Sequence, residues 1–167
     1  MTLEDKNQND IINSELVNSY NIEYVYSDKP INRFKTKPIL EDKRKLLDNL
    51  IGEIENIDNC ELKFNSTNLV FSDGNYQNQI MIVGEGPGQK EDEIGKPFVG
   101  DAGMLLNKML KAINIERNKV YITNVVNYRP PNNRKPEPAE IKRYSEYLRK
   151  HISIIDPKIL ILMGSTA

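Results

Sequence analysis

The chain has 167 residues, 38% apolar and 28% charged, with a formal net charge of −1. That is the size and make-up of one globular domain, and the near-zero charge gives no whole-chain case for nucleic acid. Its single cysteine, Cys60, excludes an internal disulfide and any all-cysteine metal site, and points to a reducing, cytoplasmic setting.

Residues 1–38 are polar and lack a sustained apolar period, with acidic and basic residues balanced at eight each up to Lys45. They read as a flexible or loosely packed arm preceding a domain over 39–167. The N-terminal decapeptide has no apolar core and is not a signal peptide. From Ile39 to Ile57, Leu46, Leu47, Leu50, Ile51 and Ile54 recur at helical spacing, which predicts an amphipathic helix. Asn68–Phe71 reads as a short strand stopped by the turn Ser72-Asp73-Gly74-Asn75. Gln79–Val83 is a buried-strand pattern running into Gly84, and a long loop over 84–101 follows. Asp101 is the expected N-cap of a helix whose apolar face is Leu105, Leu106, Met109, Leu110 and Ile113.

Val120–Val126 is the next strand, followed by a Pro/Asn/Arg-rich loop over 127–136. A helix then starts near Pro138, with Ile141, Tyr144, Leu148 and Ile152 as its stripe. Lys158–Met163 is a third buried strand, and its apolar run is far too short to span a bilayer. Gly164-Ser165-Thr166-Ala167 opens a further turn into a helix. Strands alternating with helices predict a three-layer α/β/α domain with a mostly parallel central sheet. Ligands of such sheets bind beyond the carboxyl ends of the strands, which directs attention to the loops at 84–101 and 124–136.

Gly84-Glu85-Gly86-Pro87-Gly88 fits neither standard phosphate loop. Gln89 stands where a dinucleotide fingerprint needs glycine, and Gly95-Lys96 is followed by Pro97 rather than Ser or Thr. The loop instead combines the acidic run Glu91-Asp92-Glu93 with the apolar patch Pro97-Phe98-Val99. Such a run is ordinarily a solvated face, but an aromatic ring set by a proline beside carboxylates can wall a pocket. Between Arg129 and His151, seven Lys or Arg stand against three Glu. This local excess suits phosphate contacts, although such clusters are commonly just solvated. His151, the only histidine, lies in a helix and is read as structural.

Val83–Leu106, VGEGPGQKEDEIGKPFVGDAGMLL, resembles the first signature of the iron–sulfur uracil-DNA glycosylases, often called family 4. Tyr121–Pro136, YITNVVNYRPPNNRKP, is similar to that family's next characteristic stretch, and Ile159–Ala167 to the strand beyond it. The likeness covers residues 46–167. It implies an enzyme of base excision repair that flips uracil out of DNA and hydrolyses its N-glycosidic bond. Uracil would be held by Glu85, Gly86, Pro87, Phe98 and Asn124. Phe98 would stack on the base, and the Asn124 amide would pair with N3–H and O4. Glu91 is the first choice for the catalytic carboxylate, with Asp92 and Glu85 behind it. Arg129, Arg134 and Lys135 would contact DNA phosphates. The implied partner is uracil-containing DNA, met by a monomer away from any membrane.

The chain departs from the family at the iron–sulfur ligands. Of the four positions only Cys60 is a cysteine; the others fall on Ile57, Tyr128 and Tyr144. One thiolate cannot hold a four-iron cluster, so no cofactor is expected, and the tyrosines would fill its space by packing. A later His-Pro-Ser motif of the family, whose His would hydrogen-bond uracil O2, has no counterpart up to Ala167. The chain is therefore read as C-terminally incomplete, with its activity in question. The alternatives are a catalytically impaired uracil- or DNA-binding pseudoenzyme of the same superfamily, or an unrelated nucleotide-binding α/β domain.

Overall fold

A computed structural model describes residues 40–167, with side chains from residue 43. The expected arm over 1–38 lies outside the described residues. Helix α1 (Leu40–Glu55) leads to a single turn, α2 (Glu61–Phe64). Strand β1 (Ile80–Gly84) is followed by α3 (Gln89–Ile94) and α4 (Asp101–Ala112). Then come β2 (Tyr121–Asn124), α5 (Pro138–Ile155) and β3 (Ile159–Leu162). The three strands form one parallel sheet in the order β2-β1-β3, with Met81 opposite Tyr121 and Leu160, and Gly84 opposite Asn124.

The period-two alternation of the strands distributes the core over both faces of the sheet. Met81, Val83 and Tyr121 join Leu47, Leu50 and Ile54 of α1 and Tyr144 and Ile155 of α5 in one buried cluster. Ile82, Val120 and Ile122 join Leu106 and Leu110 of α4 in another. Helices on both faces make the three-layer α/β/α architecture read from the sequence. Helix α5 begins with proline and a capping box: Glu137 accepts from the backbone of Glu140, whose side chain accepts from the Glu137 N–H.

Several local expectations are corrected. Asn68–Phe71 is not a strand; it runs extended beside β2, held by Val70 N–H on the Asn127 carbonyl and by one antiparallel bridge, Asp73 to Ile122. The loop over 84–101 contains α3, closed by Gly95 in the left-handed region at φ 75°. The N-cap of α4 is Gly100 rather than Asp101, and Asp101 instead reaches Lys90 at 3.3 Å across the surface. The expected burial of the third strand is corrected as well: Ile159 to Leu162 of β3 are exposed on both faces, and of the expected apolar face of α4 and its C-cap, Leu105, Met109 and Ile113 stay exposed.

Candidate functional site at the carboxyl ends of the strands

The ends of β1, β2 and β3 and the start of α4 surround a cleft of about 420 Å³. Glu85, Gly86 and Gly88 contribute from the turn after β1, Asn124 from the last residue of β2, and Met163 and Gly164 from beyond β3. Glu91, Phe98, Gly100, Asp101 and Ala102 close the remaining side. Such a crevice is where parallel sheets place their ligands.

Gly84 explains how the cleft floor is built. A Cβ on this residue would stand 2.6 Å from the Phe98 ring and 2.6 Å from Asn124 Oδ1. The aromatic ring and the amide therefore meet over one glycine, in space that a methyl group would occupy. Phe98 itself sits in the left-handed region at φ 53°, an uncommon conformation for a bulky residue. Its carbonyl is pressed against α4 at Gly103, where a Cβ would come within 1.9 Å of Phe98 O. A pocket floor thus depends on two glycines, one per element.

The three carboxylates expected at the site are not equivalent. Glu91 Oε1 accepts from the backbone N–H of Val99 at 2.9 Å and of Gly100 at 2.7 Å, pinning the carboxylate at the N-terminus of α4. Oε2 of the same group lies 2.9 Å from where a Cβ on Gly88 would stand. Glu85 pairs through its carboxylate with the Thr166 hydroxyl. Asp92 is only 3% exposed and does not reach the cleft. Its Oδ1 accepts from Thr67 N–H at 2.9 Å and Asn68 N–H at 3.0 Å, tying α3 to the segment before β1. The two acids are neighbours on a helix, about 100° apart around its axis, and so face different surroundings.

Pro87 lines a separate hollow with Pro130, Asn133, Arg134 and Pro136. Arg134 is committed to Glu140 by two contacts of 2.8 and 2.7 Å. Arg129 donates to Asn133 Oδ1 at 2.7 Å, and Lys135 is exposed. Of the three basic residues, Lys135 alone has no hydrogen-bond or ion-pair partner for its side chain among the described residues.

The four positions matching iron–sulfur ligands do converge. Ile57, Cys60, Tyr128 and Tyr144 share one buried cluster, with Cys60 Sγ 3.3 Å from the Tyr144 hydroxyl. Burial pushes the phenols of Tyr144 and Tyr128 upward, so both stay protonated. One thiol, two neutral phenols and an aliphatic chain do not fit a cluster that takes four thiolates. Among the described residues no group of three His, Cys, Asp or Glu is arranged to hold a metal ion.

Arg117 escaped the sequence reading because its partners are remote in sequence. It lies in a 3-10 turn (Arg117–Lys119) before β2 and grips the loop carrying Phe98, bonding to the carbonyls of Pro97 and Phe98. His151 is buried, stacked on Phe71 at 4.4 Å and 2.8 Å from the Tyr121 hydroxyl, far from any role in the cleft lining.

Comparison with known proteins places these features in a family context. Residues 71–167 match the family model described as the uracil DNA glycosylase superfamily. The Type-4 uracil-DNA glycosylase of Thermotoga maritima is 49% identical over 108 residues, 65% of this chain and 56% of that protein. The Type-4 uracil-DNA glycosylase of Archaeoglobus fulgidus is 44% identical over 121 residues, 72% and 61% of the two chains. A DNA polymerase of Bacillus phage SP01 is 39% identical over 93 residues, 55% of this chain and 10% of the polymerase. The chain thus spans a little over half the length of the two glycosylases.

Proposed function

The chain belongs to the uracil-DNA glycosylase superfamily, and from that premise we propose that its strand-end cleft takes a uracil flipped out of DNA and hydrolyses the bond to deoxyribose. The observation that carries this reading is the meeting of the Phe98 ring and the Asn124 amide over Gly84. A flat apolar surface beside a group with both donor and acceptor is what a planar pyrimidine with alternating N–H and C=O requires.

In the reaction the C1′–N1 bond breaks and its electron pair leaves with uracil. Water bonds C1′ and gives up a proton, and N1 gains one on release. Phe98 holds the base flat, and Asn124 reads N3–H and O4. Glu91, with Oε1 fixed by two backbone donors, keeps Oε2 to orient the water and to face the developing positive charge on the sugar. Its preorganisation matters because a carboxylate already held in place costs no reorganisation as charge develops. Exposed Lys135, in the loop before α5, suits a DNA phosphate. The misfit at Cys60, Tyr128 and Tyr144 supports a protein that folds without an iron–sulfur cluster.

The test is release of free uracil from single- and double-stranded uracil-containing oligonucleotides. The unaltered protein is expected to release uracil, and Glu91→Gln, which keeps the size and loses the charge, to release it about 10²-fold more slowly. Equal release by the two proteins would overturn the role of Glu91, and none by the unaltered protein would overturn the hydrolase.

A further inference from the structure

Phe98 occupies the left-handed region at φ 53°, and a phenylalanine stays there only when its surroundings hold it. In that turn the carbonyls of Pro97 and Phe98 come within reach of one donor group, and Arg117 supplies it. One terminal nitrogen, Nη2, donates to Pro97 O at 2.8 Å. The other, Nη1, donates to Phe98 O at 3.0 Å and to Asn107 Oδ1 of α4 at 3.0 Å. Nε donates to Asp73 Oδ2 at 2.9 Å. All three guanidinium nitrogens are thus engaged inside the protein, leaving the group no free edge for a phosphate.

Asp73 is itself fixed. Its backbone exchanges two hydrogen bonds with Ile122 of β2, at 2.9 and 2.8 Å, and Ile122 stands two residues before Asn124 on the same strand. A continuous chain of contacts therefore runs from the turn under Phe98, through Arg117 and Asp73, to the strand that bears Asn124.

We propose that Arg117 is a positioning residue for base recognition: by holding the carbonyls of Pro97 and Phe98 it fixes the turn under the ring and so sets where the ring stands relative to the Asn124 amide, the corner in which the base is held. This rests on the uracil reading of the cleft. Lysine cannot replace it fully, since a single ammonium cannot span two carbonyls and a carboxylate with the planar geometry of a guanidinium.

The test pairs a measurement on the free protein with one on DNA. With the phenylalanine rings isotope-labelled, Arg117→Met is expected to shift and broaden the NMR signals of Phe98 while those of Phe64 and Phe71 stay in place. Unchanged Phe98 signals would overturn the proposal. In binding, Arg117→Met is expected to lower the preference for a uracil-containing over a thymine-containing single strand about tenfold, the scale of one lost base–aromatic stack. Arg117→Lys should fall between, and affinity for the thymine strand should not change.

Placed on top of Phe98→Ala, Arg117→Met should remove no further preference, because it acts through the ring. A full additional loss would mean a general structural role and would overturn the proposal. Should Arg117→Met fail to fold, Asp73→Asn, which loosens the anchor and leaves the guanidinium, carries the same readouts. If the unaltered protein shows no uracil preference, the uracil reading falls, and the ring signals alone then decide whether Arg117 holds the turn.

Discussion

Gly84 is the residue on which the candidate site is most finely balanced. Its missing side chain is what lets an aromatic ring and an amide approach the same point, each 2.6 Å from where a Cβ would stand. Gly84→Ala is therefore expected to force the two apart, costing about 1–3 kcal/mol of stability as an overpacked buried position does, and to abolish uracil preference with the fold retained. Urea unfolding and DNA binding of the variant check both parts; full binding preference in a folded Gly84→Ala protein would contradict the geometry. This role was only partly legible in the sequence. The glycine-rich turn, Phe98 and Asn124 stand out as residue types, but 40 residues separate Gly84 from Asn124. That they meet follows from the parallel register, which sets Gly84 opposite Asn124.

At the scale of elements, periodicity marked the side chains that leave water in β1 and α1 but not in β3, whose four residues are exposed, nor at Leu105, Met109 and Ile113. The alternation of Met81 and Val83 against Ile82 separates the two cores, and the spacing of Leu47, Leu50 and Ile54 marks the inner face of α1. It failed where local propensity and tertiary context disagree. Leu69-Val70-Phe71 has strand-forming residues but makes only a single bridge through Asp73. Helix α3 was hidden by the glycines and proline around it. Arg134 looked available for DNA because nothing in the sequence announces that Pro136 and the cap of α5 bring Glu140 within 2.7 Å of it.

Helix α5 carries a titratable group whose behaviour follows from this packing. Burial lowers the pKa of His151 to about 4 from 6.5, because its contacts with Phe71 and Tyr121 leave no room for hydration. The unfolded chain binds a proton near pH 6.5 and the folded one does not, so the contribution is fully present above about pH 6.5. It is lost as pH falls toward 4, by at most about 3 kcal/mol. Urea denaturation across that range should show stability falling with acid, and His151→Phe should flatten that slope. An equal slope in both proteins would place the acid sensitivity elsewhere.

Considered whole, the described residues make a sheet whose β1 and β2 are covered on one face by α1 and α5 and on the other in part by α4, while β3 is exposed on both faces. On the first face the hydrogen-bonded pair of Cys60 and Tyr144 is buried in a continuous apolar cluster, at the position where iron–sulfur relatives would carry their ligands. The proposal that this core folds without a cluster rests on that packing. The protein prepared with or without iron is accordingly expected to contain no stoichiometric iron and to unfold at the same urea concentration after chelation. Stoichiometric iron, or loss of structure on chelation, would contradict this.

The fold and the family resemblance were readable because motif and strand pattern lie close together in the chain. The division of labour among Glu85, Glu91 and Asp92 was not, because it depends on which way each side chain points. The most direct measurement is the anisotropy of a labelled single strand carrying one uracil, compared with the same strand carrying thymine, for the unaltered protein and for Asn124→Ala. The unaltered protein is expected to bind the uracil strand more tightly, and the variant to bind both strands alike. Equal affinities in the unaltered protein would contradict the assignment of the cleft to uracil.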